Sequence, residues 1–141
     1  YELTAAYAET TLAPAEREIV LLTTSVHNEC GYCVAGHSFY SKSTDLAEDV
    51  LAAIRDRRPI ADPKKEALRL FSQALAERRG KNCEAEMRRF LEAGYSRDQI
   101  LEVINGVALK TMANMTANLF ELPLDEAFAP YSWSPPTARA A

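Results

Sequence analysis

The chain has 141 residues, of which 48% are apolar, and its formal net charge is −4. This length and composition predict one folded domain with a modest core, and they argue against a disordered chain. The acidic balance argues against nucleic-acid partners, and no apolar run approaches the roughly 18 residues that span a bilayer, so we expect no membrane partner.

Apolar residues recur at helical spacing, and no convincing two-residue alternation indicates a strand. Caps and breakers divide this pattern into six segments: about 14–28, 31–40, 44–59, 64–79, 82–93 and 96–120. Asp62-Pro63 and the capping box Ser96-Arg97-Asp98-Gln99 mark two of the starts. The sequence therefore predicts an all-α bundle of about six or seven helices. We expect a single domain over 1–141, with a core at 12–125 and an irregular tail at 126–141.

The apolar stripes of two predicted helices, those beginning near Lys64 and Ser96, are large for a chain of this size. Small domains bury a smaller share of their surface, and exposed stripes of this kind usually mark an interface. Met112 and Met115 are expected to fill the core or a subunit interface. The sequence therefore predicts a bundle that forms oligomers.

Three cysteines are present, an odd number in a chain without other secretory signs. This count argues against a disulfide-stapled scaffold and predicts a cytoplasmic protein. Cys83 stands alone near a helix start and is expected to be structural. Cys30 and Cys33 are separated by only two residues, a spacing that lets two sulfurs form and release a disulfide.

His37 follows Cys33 by four residues, so the two side chains share one face of a helix. The imidazole is therefore a candidate proton acceptor for the Cys33 thiol. Glu18, on the preceding helix, shares a stripe with apolar residues, and an inward carboxylate would orient the imidazole. The sequence thus gives four candidate catalytic residues: Cys33, Cys30, His37 and Glu18.

Two physical effects compete to decide which sulfur attacks. A helix N-terminus favours a thiolate at Cys30, but this effect is worth only about 0.3–1 kcal/mol. A paired base lowers a thiol pKa by several units, which favours Cys33 beside His37. We therefore predict that Cys33 is the reactive thiol.

Two other interpretations of the cysteine pair stay open. Cys30, Cys33 and His37 could bind zinc, with Glu18 as a fourth ligand, although the chain has no second pair of the usual spacing. The cysteines could also be inert core residues. We predict no metal and no cofactor. The aromatic residues beside the dithiol are expected either to wall an apolar route to it or simply to pack: Tyr32, Phe39 and Tyr40.

The string Glu18-x11-Cys30-x2-Cys33-x3-His37 resembles the E-x11-C-x2-C-x3-H signature of the AhpD-like branch of the carboxymuconolactone decarboxylase family. The Gly94-Tyr95-Ser96-x2-Gln99-Ile100 turn and the long helix after it are similar to the second half of that family. The resemblance covers about residues 12–125. It implies an all-α fold and a homotrimer or homohexamer.

The resemblance also implies an activity, the reduction of small hydroperoxides by the CxxC pair. Cys33 would attack the peroxide, Cys30 would resolve the sulfenic acid as a disulfide, and Glu18 and His37 would relay the proton. A dithiol of unknown identity would act as reductant. One departure stands out: Tyr32 replaces a histidine of the best-studied branch, so one member of that relay is absent or is a phenol with a pKa of about 10.

Three functions therefore compete. The leading prediction is a thiol peroxidase or disulfide oxidoreductase that acts on a small hydroperoxide or a partner disulfide. The second is a decarboxylase-like enzyme of the same family, whose branch generally lacks the CxxC pair. The third is a non-enzymatic oligomer with a redox-sensing dithiol.

Overall fold

The computed structural model describes residues 2–136, and over this range the chain is helical, without a β-strand. The α-helices are α1 (Glu2–Ala8), α2 (Pro14–His27), α3 (Gly31–Tyr40), α4 (Glu48–Arg55), α5 (Pro63–Arg78), α6 (Glu84–Glu92) and α7 (Arg97–Leu119). Two 3₁₀ helices span Ser41–Ser43 and Glu126–Tyr131. The predicted all-α fold class is confirmed. None of these helices is long and apolar enough to cross a membrane.

The caps that the sequence predicts form as expected at two helices. At α5, Asp62 Oδ1 accepts hydrogen bonds from the backbone N–H groups of Lys64 and Lys65, at 2.9 and 3.1 Å. At α7, the Ser96 hydroxyl accepts from the Gln99 N–H, and the Gln99 side chain accepts from the Ser96 N–H. These bonds satisfy donors that a helix start otherwise leaves unpaired.

Several elements differ from the prediction, and two of the helix starts differ because of the backbone conformation. α4 begins at Glu48 rather than near Thr44, because Asp45 adopts a left-handed conformation with φ of 57°. α6 begins after Cys83 rather than after Asn82, which has φ of 53°. The end of α4 also differs, at Arg55 rather than near residue 59. A further difference is α1, which the sequence pattern did not indicate.

α2 is the central helix of the bundle and packs against α3, α4, α5 and α7. Every residue from 18 to 26 is buried, and Ile19, Val20 and Leu22 have no exposed surface. Neighbours on all sides explain why the whole segment is buried, including its polar residues Thr23, Thr24 and Ser25. They also place the Glu18 carboxylate inside the protein, with only 9% of the residue exposed.

α1 packs on α7 through Tyr7, which lies in a notch created by Gly106. A Cβ at position 106 would lie 2.6–2.7 Å from atoms of the Tyr7 ring. The ring is 3% exposed, and its hydroxyl donates to the Arg17 carbonyl at 3.3 Å. Glycine at this position therefore permits the helix contact.

We expect Gly106→Ala to destabilise the fold by about 1–3 kcal/mol, because the methyl group overpacks the notch. Elsewhere in a helix the same change stabilises by roughly 0.5–1 kcal/mol, so the sign of the change in unfolding free energy is informative. Urea denaturation measures it. In a Tyr7→Ala background the ring is gone, and Gly106→Ala should then be neutral or stabilising. A stabilised Gly106→Ala single variant would contradict the packing described above.

The chain after α7 returns to the bundle, so the prediction of an irregular tail is wrong for residues 126–131. Their 3₁₀ helix packs on α3, where Phe128 is buried. A Cβ at Gly36 would lie 3.3 Å from the Phe128 ring, so glycine lets the ring approach α3 closely. Beyond it, Trp133 Nε1 donates to the Arg55 carbonyl at 2.9 Å. Tyr1 and residues 137–141 of the predicted tail lie outside the described residues, and the single-domain assignment stays a prediction.

Of the two predicted apolar stripes, the one on α5 is buried within the chain and the one on α7 is exposed. On α5 the stripe is mostly buried within the chain, with Leu68 and Phe71 at 0% and 1% exposure. On α7, large apolar side chains are exposed along one side of the helix, at spacings of three, four and eight residues that return to the same side. This α7 apolar face consists of Leu101, Ile104, Met112, Met115 and Leu119. Met112 and Met115 therefore do not fill the core of this chain.

Candidate active site

The two cysteines lie at the start of α3, close to one another and unbridged. Cys30 is the N-cap residue, and its Sγ accepts a hydrogen bond from the Cys33 backbone N–H at 3.3 Å. Both thiols are free. Cys30 has no exposed surface and Cys33 is 6% exposed. The helix start thus holds the sulfurs in the arrangement that the two-residue spacing predicts.

A cleft of about 550 Å³ opens between α3, α7 and the segment that follows α7. Cys33, His37 and Lys110 line it, together with mostly apolar side chains such as Tyr40, Leu122 and Phe128. Cys30 is not among the lining residues. The second cysteine therefore faces the cleft, and the first lies behind it.

The predicted aromatic wall of the cleft is only partly present. Tyr32 and Tyr40 line the cleft. Phe39 packs instead against Phe128, with ring centroids 5.5 Å apart, and it does not line the cleft.

Glu18, His37 and Lys110 form a chain of polar contacts beside the dithiol. His37 Nδ1 lies 2.8 Å from Glu18 Oε2, and His37 Nε2 lies 2.7 Å from Lys110 Nζ. With Lys110 protonated, the ammonium donates to Nε2, and Nδ1–H donates to the carboxylate. The two contacts therefore fix one tautomer of a neutral imidazole. The structure brings Glu18 and His37 together, as the inward stripe that contains Glu18 predicts.

His37 has different partners from those that its i+4 relation to Cys33 predicts. Glu18 and Lys110 occupy both ring nitrogens, so neither nitrogen is available to the Cys33 thiol in this arrangement. Helical spacing correctly places the ring on the same side of α3 as Cys33. It could not reveal Lys110, which comes from a helix more than seventy residues further along the chain.

The surroundings of Cys33 lower the pKa of its thiol from 9.0 to about 6. The largest cause is a hydrogen bond donated by Cys30; the Lys110 ammonium, the Asn114 amide and His37 act in the same direction, against the effect of burial. For Cys30 the pKa is raised, because its S–H is donated to Cys33 and because the group is buried. The pair therefore holds one thiolate, at Cys33, and one thiol, at Cys30.

Two solved structures are similar to this chain in fold. One is a protein of unknown function from Agrobacterium tumefaciens, for which a role as the antioxidant defence protein AhpD has been suggested. It matches with a TM-score of 0.78 and 17% sequence identity, over 88% of this chain and 86% of its own. This chain has the AhpD-like fold.

The second structure is an uncharacterized peroxidase-related protein from Silicibacter sp. TM1040. It matches with a TM-score of 0.69 and 19% identity, over 90% of this chain and 70% of its own. No protein-family model matches the chain, and no curated protein matches it by sequence. At these identities the comparisons show the AhpD-like fold alone.

Within the AhpD-like fold, α7 supplies two residues to the site that the sequence analysis missed: Lys110 and Asn114. Asn114 has no exposed surface; its Nδ2 donates to Ser25 Oγ at 3.2 Å, and its Oδ1 accepts from Asn28 Nδ2 at 3.0 Å. It also hydrogen-bonds the thiols. The available signal was a pair of polar residues four apart on the side of α7 opposite its apolar face.

The Tyr32 side chain, next to the reactive cysteine in sequence, hydrogen-bonds a residue after α7. Its hydroxyl donates to Asp125 Oδ2 at 2.7 Å, at the rim of the cleft. This bond is the main reason that the pKa of the phenol is raised. A neutral phenol whose proton is held by a carboxylate does not replace a histidine as a proton carrier.

Cys83 lies apart from this site, as expected. It is buried at the start of α6, and its Sγ donates to the Lys81 carbonyl at 3.4 Å. Within residues 2–136, no three or more His, Cys, Asp or Glu side chains come together as a candidate metal site.

We expect Cys33 to be the one thiol that iodoacetamide alkylates readily. The alkylation rate plotted against pH should have its midpoint near pH 6, because only the thiolate reacts and the pKa of Cys33 is about 6. Cys30 should resist alkylation at neutral pH. Rates measured against pH, with the labelled residue identified by mass spectrometry, test this expectation. Cys30→Ala removes the largest cause of the lowered pKa, so its midpoint should rise. Two thiols that titrate together near pH 9 would contradict the arrangement.

Proposed function

We propose that this protein is a thiol peroxidase that reduces small organic hydroperoxides through Cys33 and Cys30. One observation carries the proposal: the cysteine with the lowered pKa faces the cleft, and its partner lies directly behind it. A nucleophile needs access to substrate and a resolving thiol needs only access to the nucleophile.

The reaction then has three steps that balance. The Cys33 thiolate attacks one peroxide oxygen, the O–O bond breaks, and the alkoxide takes up a proton to leave as an alcohol. Cys33 is now a sulfenic acid. The Cys30 sulfur displaces its oxygen, which leaves as water with the Cys30 proton, and a disulfide forms. An external dithiol reduces the disulfide and is itself oxidised.

The cleft supports a small and partly apolar substrate. Its volume of about 550 Å³ and its aromatic and aliphatic lining suit a hydroperoxide with a compact hydrocarbon group. A partner disulfide is the alternative substrate for the same thiol. Because the pair must be reduced again after each turnover, we propose that the protein acts in a reducing compartment, the cytoplasm.

The test is steady-state consumption of hydrogen peroxide, tert-butyl hydroperoxide and cumene hydroperoxide, with dithiothreitol as reductant. We expect catalytic turnover that depends on both cysteines, with organic hydroperoxides preferred. Disulfide formation without turnover by dithiothreitol or by thioredoxin-type dithiols would instead favour the redox-sensing oligomer. Retained turnover after both cysteines are replaced would refute the proposal.

The α7 apolar face supports the further proposal that copies of this chain associate through α7. Five large apolar side chains on one side of a helix, between 43% and 77% exposed, are more than an isolated chain normally leaves in water. The resemblance to AhpD-like proteins implies a homotrimer or homohexamer.

We expect the double variant Met115→Glu, Leu119→Glu to sediment as a monomer, because carboxylates at the centre of an apolar interface lose their hydration. Arg88→Glu, which makes the same change in net charge at an exposed position of α6, should leave the oligomer intact. Wild-type protein that sediments as a monomer at micromolar concentration would refute association.

A further inference from the structure

We propose that Lys110 supplies the positive charge that holds Cys33 as a thiolate. The proposal rests on the proposed function and names a residue on which that function depends. Its basis is the position of Lys110 in the cleft and the set of groups that surround it.

Lys110 is a half-buried lysine on the inner side of α7, and it lines the same cleft as Cys33. Its Nζ contacts His37 Nε2 at 2.7 Å, and an imidazole is not a counter-ion for an ammonium. Among the described residues, no carboxylate forms an ion pair with Lys110. A half-buried ammonium has lost part of its hydration, so a negative charge nearby is expected to stabilise it.

The titratable groups around Lys110 come from three sides. They are Glu18 from α2; Cys30, Cys33, Tyr32, His37 and Tyr40 at or on α3; and Asp125 after α7. The two carboxylates are already engaged, since Glu18 accepts from His37 and Asp125 accepts from Tyr32, and Cys30 keeps its proton because its pKa is raised. The Cys33 thiolate is the anion that remains for Lys110.

Lys110 and Cys33 also affect each other's pKa values in the way that this arrangement predicts. Lys110 lowers the pKa of Cys33 more than His37 does. Burial lowers the pKa of Lys110, and Cys33, followed by Cys30 and Glu18, acts against that effect. Each group thus favours the charged form of the other across the cleft that both residues line.

Lys110 also gives the proton a route during turnover. When Cys33 Sγ bonds to the peroxide oxygen and the O–O bond breaks, the negative charge passes to the leaving alkoxide. Lys110 donates the proton that completes the alcohol. It regains a proton from the Cys33 thiol that forms when an external dithiol reduces the disulfide. His37 and Glu18 keep the lysine side chain in place throughout.

The test is the pH midpoint of Cys33 alkylation by iodoacetamide in folded protein. Lys110→Met should raise the midpoint by roughly one unit or more, whereas Lys110→Arg, which keeps the charge, should stay close to wild type. Lys81→Met removes one charge from an exposed position and should have no effect. If the methionine variant does not fold, Lys110→Gln gives the same readout. A neutral variant with the wild-type midpoint would overturn the proposal.

The outcomes separate this inference from the proposed function. A raised midpoint in Lys110→Met supports the role of Lys110 even if no hydroperoxide is turned over, in which case only the peroxidase proposal fails. An unchanged midpoint, together with Cys33-dependent turnover by the wild type, removes Lys110 from the mechanism and leaves the peroxidase proposal standing.

Discussion

Replacement of Cys33 by serine should reduce hydroperoxide consumption to the uncatalysed background, whereas Cys30→Ser should leave one reactive sulfur that oxidises and cannot be resolved. The reason is the difference in position. Cys33 faces the cleft with its pKa lowered to about 6, while Cys30 is wholly buried behind it with its pKa raised. An alcohol at position 33 is far too weak an acid to replace a thiolate.

Dimedone labelling with mass spectrometry distinguishes the two roles. After one equivalent of hydroperoxide, Cys30→Ser should carry the dimedone adduct of a sulfenic acid on Cys33, and Cys33→Ser should carry none. Cys83→Ser is the matched control, because Cys83 is equally buried but lies at the start of α6, and it should keep wild-type turnover. A sulfenic acid on Cys30 in the Cys33→Ser protein, formed at the wild-type rate, would reverse the assignment.

Asn114→Asp should lower the free energy of unfolding, and it should make the Cys33 thiol unreactive at neutral pH. The side chains have nearly the same shape, but the aspartate cannot donate to Ser25 Oγ or to the thiols, and it places a negative charge at a position with no exposed surface. An uncompensated buried charge costs about 3–5 kcal/mol, and Lys110 one turn earlier offsets part of it. We expect a loss of about 2–4 kcal/mol in unfolding free energy at pH 7.

The pH dependence of this variant identifies the cause. Burial raises the pKa of the new carboxyl above its unfolded value of about 3.9, so the folded state binds the proton more tightly. The deficit in stability should therefore be small below about pH 4 and should grow as the pH rises through the folded pKa. Asn118→Asp, one turn further along α7 and exposed, is the control. Equal stability of the two variants at pH 7 would show that position 114 is not the buried contact described.

The half of the site that lies within two adjacent helices could be predicted from the sequence. Cys30, Cys33 and His37 lie within about two turns at the start of one helix, and Glu18 lies on the inward stripe of the helix before it, so spacing and pattern indicate where all four lie. Their partners Lys110 and Asn114 could not be predicted, because they come from α7, far away in the sequence. A periodic pattern shows which side of α7 faces inward, but not which groups Lys110 and Asn114 meet there.

The fold could likewise be predicted where the signals are local, and not where the contacts are between distant parts of the chain. Caps at Asp62 and Ser96 are local signals, so the starts of α5 and α7 were predicted correctly. The contact between Tyr7 and Gly106 joins residues almost a hundred positions apart, and it depends on a missing side chain rather than on a pattern. The packing of Phe128 on α3 is equally nonlocal. No local signal distinguishes such a segment from a loose tail.

Met112 belongs to two surfaces at once, the exposed face of α7 and the lining of the cleft that contains Cys33. A second copy of the chain seated on that face would therefore form part of the boundary of the substrate cavity. The population of assembled protein and the selectivity among hydroperoxides would then vary together. Dilution should change the ratio of rates for bulky and compact hydroperoxides, and not only the rate per chain.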